Sequence, residues 1–350
     1  MRKEKAGIVS GPDSVAREIN GMQRRTFVTA AAAAAALPFA AGAQGFTPQN
    51  AECIAPAAPG GGFDVTCRLT TRMLSELGLV ANPIRTQNMP GGIGAVAINH
   101  INAQRPADPN VLVAFSTGSW LNMAQRRFGR FAENDVRWIG AVGADYGIIA
   151  VKRDSRFQTL ADLVAGFREN IAGIPIGSSG AVGSQDWTKV ALIARAAGQD
   201  PRRMRYVPFE GGGAAMAALL GGHIQVFPGD ASEIRGQFEA GEIRLLAVLS
   251  AQRLPGFLSV VPTAKEQGID VEWPIVRGFY GPPRMPDAAY NYWVDVLKRL
   301  HAHPAWPEAR AAQGLFEFNM VGEEFSALAK RRTEEYRTLA REVGLIQPVQ

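Results

Sequence analysis

Short apolar runs alternate with stretches whose apolar positions recur every three or four residues, from about residue 50 to the end of the chain. The runs read as strands at 52–56, 111–115, 147–151, 174–177, 205–208, 224–227 and 245–249. The periodic stretches read as helices. Val65, Leu69, Met73 and Leu77 share one helix face, and a second helix opens at Pro90-Gly91-Gly92 with Val96, Ile98 and Ile101 on its buried side. Further helices are predicted over 160–168, 185–197, 214–220, 234–240, 288–300 and 323–343. Strand and helix in alternation predict an α/β fold with mostly parallel strands. Two extended segments, 146–152 and 273–280, flank the middle block. They are expected to be paired crossings between a lobe made of both chain ends (44–146 with 272–350) and an inserted lobe (147–271). A two-strand hinge of this kind permits closure of one lobe over the other.

Glycine collects where helices begin. Pro59-Gly60-Gly61-Gly62-Phe63-Asp64, Gly177-Ser178-Ser179-Gly180-Ala181-Val182-Gly183-Ser184 and Glu210-Gly211-Gly212-Gly213 each precede a helical stretch. Such turns aim backbone N–H groups at the positive end of a helix, which binds anions without a catalytic side chain. A turn after a strand needs only one small residue for its geometry, so the hydroxyls of Ser178 and Ser179 are candidate oxyanion donors. The same holds for Thr117 and Ser119 in the polar turn Ser116-Thr117-Gly118-Ser119. Ser184 is placed to cap the helix that starts at Gln185. Asp64 opens its helix, where a carboxylate contributes about 0.3–1 kcal/mol, and it also lies beside the first glycine turn. Together these turns suggest a site for a small carboxylate or phosphate.

Residues 1–43 stand apart from this pattern. Arg24-Arg25-Thr26-Phe27, an alanine-rich run to Ala41 and the small-residue site Ala41-Gly42-Ala43 have the layout of an export signal, with paired arginines favouring the twin-arginine route. Met22 would start a compact signal by itself, and initiation there rather than at Met1 is the expectation. The leader carries six basic and three acidic residues, so the remainder lies near +2 of the formal +5. The basic character is mostly a leader property, and nucleic acid is an unexpected partner. The remaining 307 or so residues suffice for two domains of about 150. Asn50-Ala51-Glu52 before Cys53 is no lipid-attachment box, so a periplasmic protein without a lipid anchor is expected. Cys53 and Cys67 are either a disulfide, the favoured reading in an oxidising compartment, or two buried thiols.

Enzymatic chemistry finds little support. The chain contains no Gly-x-Ser-x-Gly elbow. His100, His223, His301 and His303 lack zinc-ligand spacing, so neither metal nor cofactor is expected. Gly92-x-Gly94-x-x-Ala97 matches a dinucleotide fingerprint superficially, but residues 84–89 read as a poor strand and close helix packing explains the glycines better.

With these motifs in view, the chain resembles the extracytoplasmic receptors of the tripartite tricarboxylate transporters, the Bug or TctC type. The resemblance rests on Ala55-Pro56-Ala57-Ala58-Pro59-Gly60-Gly61-Gly62-Phe63-Asp64 with Cys67-Arg68, on Met89-Pro90-Gly91-Gly92-Ile93-Gly94 and on Ala114-Phe115-Ser116-Thr117-Gly118-Ser119. Gly183-Ser184-Gln185-Asp186-Trp187, Tyr206-Val207-Pro208-Phe209-Glu210-Gly211-Gly212-Gly213 and Leu220-Gly221-Gly222-His223 continue it in order. The first and fourth motifs look most like the citrate-type branch. The resemblance implies a two-lobed periplasmic-binding-protein (type II Venus flytrap) fold without enzymatic activity. It further implies a monomer that delivers an organic carboxylate, citrate first among candidates, to a large and a small membrane subunit. Ligand contacts implied in lobe one are Gly61, Gly62, Phe63, Asp64, Ser116, Thr117 and Ser119. Those in lobe two are Ser178, Ser179, Gly180, Ser184 and Gln185, with Gly211, Gly212 and Asp230 at the cleft edge. Two alternatives share much of this pattern: a receptor that signals through a membrane kinase, and, less favoured, an exported enzyme.

Overall fold

The computed structural model describes residues 46–342 and 346, so the expected leader and the Met22 start lie outside the described residues. Among the described residues the strands are β1 (Glu52–Ala55), β2 (Arg85–Asn88), β3 (Val111–Ser116), β4 (Arg137–Tyr146), β5 (Ile148–Lys152), β6 (Pro175–Ser179), β7 (Arg205–Phe209), β8 (Ile243–Val248) and β9 (Pro274–Gly281). The helices are α1 (Gly62–Glu76), α2 (Ala95–Ala103), α3 (Thr117–Ala124), α4 (Leu160–Asn170), α5 (Gln185–Ala196), α6 (Gly212–Leu220), α7 (Arg235–Glu239), α8 (Asp287–Ala302), α9 (Trp306–Ala312) and α10 (Gly322–Glu342).

One lobe is built on a five-stranded sheet of order β2-β1-β3-β9-β4. Its β1–β2 and β1–β3 pairs are parallel, whereas β9 runs antiparallel to both β3 and β4, so the sheet is mixed rather than mostly parallel. Segment 85–88 is a paired strand despite its polar Gln87 and Asn88, because an edge strand is held by its neighbour's ladder and needs little apolar content. The other lobe pairs β6 with β7 in parallel and β5 with β8 antiparallel. Residues 226 and 227 join the two pairs through single bridges, Val226 to Ile176 and Phe227 to Ala150, instead of forming the full strand expected at 224–227.

Between the lobes the chain crosses at the end of β4 and the start of β9, where Tyr146 pairs with Pro274. Beyond that pair, Gly147 N donates to Trp273 O (3.0 Å), Trp273 N to Leu249 O (2.8 Å) and Leu249 N to Gly147 O (2.7 Å). Apolar side chains fill both faces of the large sheet. On one side Phe115, Trp120, Trp138, Tyr280 and Phe325 form an aromatic cluster with ring centroids 5.2–6.3 Å apart. On the other, Cys67 of α1 and Trp293 of α8 cluster with Cys53 of β1 and Leu112 of β3. Cys53 on β1 and Cys67 on α1 form a disulfide, their Cα atoms 5.9 Å apart, which ties the first strand to the helix after the first glycine turn.

Two elements differ locally from the sequence pattern. Residues 117–119 are the first turn of the buried helix α3, capped by Ser116, and not a free polar turn. Val96 is 47% exposed, while Ile98 and Ile101 are fully buried, because α2 begins only at Ala95 after a turn in which Gly91, Gly92 and Gly94 all have positive φ. A Cβ on Gly94 would lie 3.0 Å from the Phe128 ring, so close packing accounts for this glycine.

Candidate functional site

Four helices begin at a single cavity between the lobes: α1 and α3 from one side, α5 and α6 from the other. The cavity is lined by Gly61, Gly62, Phe63, Ser116, Ser179, Ser184, Gln185, Gly212 and Asp230 among the residues expected from sequence. Ala57, Ile93, Gly118, Asn122, Asp186, Glu233 and Arg277 complete the wall. First-turn amides have no partner within their own helix, so convergence of four amino termini makes a strongly donating surface.

The four termini are not equivalent. Ser116 Oγ accepts from Gly118 N (3.2 Å) and Ser184 Oγ from Trp187 N (3.3 Å), so α3 and α5 carry side-chain caps. The N-cap positions of α1 and α6 are Gly61 and Gly211, and neither supplies a side-chain acceptor. For α1 the acceptor comes from far away in sequence. Gly62 N donates to Glu233 Oε1 at 2.5 Å.

The remaining expected residues stand behind the wall. Asp64 Oδ2 accepts from Gly60 N (3.0 Å) and Arg68 Nε (2.8 Å), and its Oδ1 from Asn88 Nδ2 (2.9 Å), which orders the glycine turn. Thr117 Oγ1 accepts from Val276 N (2.9 Å), tying α3 to β9. Ser119 Oγ accepts from Ser116 N (3.3 Å) and so completes the cap of α3. Ser178 Oγ donates to Asp186 Oδ2 (2.7 Å). Gly180, with φ +76°, closes the β6–α5 turn against Ser184 and Ile93. Gly211 packs on Ala57 and Ala58, and Ala58 N donates to Glu210 O (3.1 Å), bringing the glycine turns of the two lobes into contact. At the opposite rim Gln125 Nε2 donates to Gly183 O (3.0 Å) and Arg127 binds Val182 O.

Beneath the donors lies a buried charge network, of which sequence reasoning named only Asp230. Arg277 on β9, 1% exposed, donates through Nε to Asp145 Oδ2 (2.8 Å) and through Nη2 to Asp230 Oδ2 (2.5 Å). Lys189 on α5, fully buried, donates to Asp186 Oδ1 (2.7 Å), to Gly229 O (2.9 Å) and to Asp230. Burial pushes the Asp230 carboxyl up, but Lys189 and Arg277 outweigh it and hold Asp230 below the usual carboxylate range. Burial raises Asp145 and Asp186, and it raises Glu233 to about 8 with help from the neighbouring Asp230 and Asp186. Four carboxyl groups thus share two cations. The wall is not electropositive through its side chains, and what it presents to the cavity is amide donors and the edge of Arg277.

Some signals for these residues were present in the sequence. Arg277 is a lone charge inside the apolar strand Ile275-Val276-Arg277-Gly278-Phe279, where an unpaired cation would be costly. Asp186 and Lys189 have the spacing of same-face helix neighbours, and Asp230 with Glu233 that of a capping box, which the structure shows. Nothing local indicated that Glu233 reaches Gly62.

A two-lobed α/β architecture with a donor-lined cleft at its strand crossings defines a periplasmic-binding-protein fold. The family model of the tripartite tricarboxylate transporter family receptor (TctC) matches residues 70–345, and the chain belongs to that family. It is 24% identical over 333 residues to the "UPF0065 protein in gbd 5'region" of Cupriavidus necator, covering 93% of this chain and 99% of that one. Among solved structures it is similar to MatC from Rhodopseudomonas palustris with bound malate, with a TM-score of 0.72 and 19% identity over 83% of this chain and 98% of that chain. It is also similar to Rpa4515 of R. palustris with adipate, with a TM-score of 0.75 and 20% identity over 84% and 97%. Among the described residues no helix is long and apolar enough to cross a membrane.

Proposed function

We propose that this chain is an extracytoplasmic solute-binding receptor that captures a small organic di- or tricarboxylate in the cleft and delivers it to the large and small membrane subunits of a tripartite transporter. The observation that carries this reading is the convergence of four helix amino termini, two of them with glycine at the N-cap, on one cavity between the lobes. Family membership supports the receptor role, and the malate and adipate bound to related folds support the ligand class. The lobes meet at 146/147 and 271/272 in this reading. Backbone amides of Gly61, Gly62, Phe63 and Gly212, with Ser116, Ser179, Ser184 and Gln185, hold the carboxylates, while Asp64, Thr117, Ser119, Ser178, Gly180, Gly211 and Asp230 position them.

Micromolar binding requires about −8 kcal/mol. One helix dipole supplies about 0.3–1 kcal/mol, whereas charge-assisted hydrogen bonds net about 1.5–3 kcal/mol each, so several donors from both lobes are needed. The anion reaches all of them only when the lobes are together, and that differential contact drives closure. Calorimetry with malate, adipate and citrate, alongside their neutral amides, tests this. Micromolar binding of at least one acid and loss of binding in its amide are expected. Failure of every organic acid to bind or to raise the melting temperature would refute the reading.

A further inference from the structure

The side chains around the cleft leave a cavity of about 30 Å³, room for a water or two but not for an organic diacid. Much of the space is taken by Glu233. Its Oε1 accepts from Gly62 N, the first amide of a helix whose own N-cap is a glycine, and sits where a Cβ on Gly61 would be 3.7 Å away. Its Oε2 accepts from Asp230 N (3.4 Å), and a Cβ on Gly212 would lie 2.5 Å from it. The carboxyl therefore stands between the glycine turns of both lobes, beside the Arg277 guanidinium that packs on Gly62. Asp186, Asp230 and Lys189 are its other charged neighbours.

We propose that Glu233 is a built-in surrogate for a ligand carboxylate: it occupies the anion position at the start of α1 and withdraws when a carboxylate ligand binds. It thereby determines affinity and specificity, because an incoming acid must out-compete a tethered carboxyl for the Gly62 amide. A weak, single-point anion fails this competition, while a diacid that also engages the amino termini of α5 and α6 succeeds. The inference rests on the carboxylate-receptor reading above, and it explains why α1 can lack a cap of its own. Glu233 is a competitor in this scheme, so its removal tightens binding, whereas removal of a true ligand contact weakens it.

The test does not need the natural ligand. The Gly62 amide is followed by NMR in the full mature chain labelled with ¹⁵N-glycine, while sodium acetate is titrated at constant ionic strength. In the wild type, the Gly62 resonance is expected to stay unresponsive. In Glu233→Ala it is expected to shift saturably, with an acetate affinity at least tenfold better than in the wild type. Glu233→Gln, which keeps the shape and one acceptor oxygen but cannot ionise, should fall between them and replaces the alanine variant if that fails to fold. Equal responses in wild type and variants, or no acetate response at Gly62 in either variant, overturn the proposal. Such a result leaves the receptor reading standing, since that is judged by diacid binding in the wild type.

Discussion

Gly62→Ala is a single-methyl change whose cost follows directly from the cleft geometry. Gly62 has ordinary helical backbone, so alanine introduces no conformational strain and should favour the helix by up to about 1 kcal/mol. The added Cβ, however, would lie 2.2 Å from both Nη atoms of Arg277 and 2.4 Å from its Cζ, where ordinary contact needs 3.4–4 Å. An arginine tip at a surface would swing aside cheaply. Arg277 is 1% exposed and pinned by Asp145 and Asp230 at 2.8 and 2.5 Å, so a retreat of an ångström or more breaks those bonds. Uncoupling a buried ion pair costs about 3–5 kcal/mol. Set against the helix gain, the net loss is about 2–4 kcal/mol, or a melting temperature lower by roughly 4–8 °C at about 2 °C per kcal/mol for a chain of this size. Gly236→Ala is the control, because Gly236 lies in α7 with nothing within 4 Å of a Cβ, and it should be neutral or stabilising by up to about 1 kcal/mol. Thermal melts of the three proteins, with calorimetry against the best-binding acid, make the comparison. A Gly62→Ala protein that melts within 1 °C of wild type and binds normally would show that the guanidinium is not held against the glycine.

Other outcomes separate donors from supports. Ser179→Ala should weaken carboxylate binding about tenfold with an unchanged melting temperature, whereas Ser119→Ala should lower stability by about 1 kcal/mol through the lost cap; the reverse pattern in calorimetry and melts would exchange their roles. Because the Glu233 carboxyl is raised to about 8 in the folded chain against 4.5 ordinarily, the folded state holds more protons than the unfolded between those values. The contribution of this group to stability therefore falls as pH rises from about 5 to 8, and Glu233→Gln should flatten that part of the slope in urea titrations; an unchanged slope would mean that Glu233 is ionised in the cleft. Replacing Cys53 and Cys67 by serine opens a loop of 14 residues and should cost about 3 kcal/mol. Equal urea midpoints for the serine variant and the oxidised wild type would contradict this.

Much of the fold is legible in the residue pattern because it depends on local periodicity. The four-residue recurrence of Val65, Leu69, Met73 and Leu77 produced α1, and the apolar run at 111–115 produced β3. The pattern failed where the neighbour rather than the segment decides. β2 is polar and exists through its ladder to β1, and α3 is a short helix buried all round, whose first turn looked like a loop. The glycine turns pointed to the cleft for the same local reason, since a glycine at the N-cap supplies no side-chain acceptor of its own. Their neighbours were harder to assign: Ser119, Thr117 and Ser178 carry suitable hydroxyls, but the structure commits them to backbone or carboxylate partners behind the wall.

The amino-acid pattern alone was enough for an alternating α/β chain, three glycine-rich turns at helix starts and two cysteines 14 positions apart. Each of these is a property of spacing along the chain. Only the tertiary structure brought Asp145, Asp186, Lys189, Asp230, Glu233 and Arg277 into one network and set the Glu233 carboxyl on an amide 171 positions away. Buried charges need partners, but no local rule says which distant segment provides them. That choice is made when two lobes fold against each other and the groups left without water find one another.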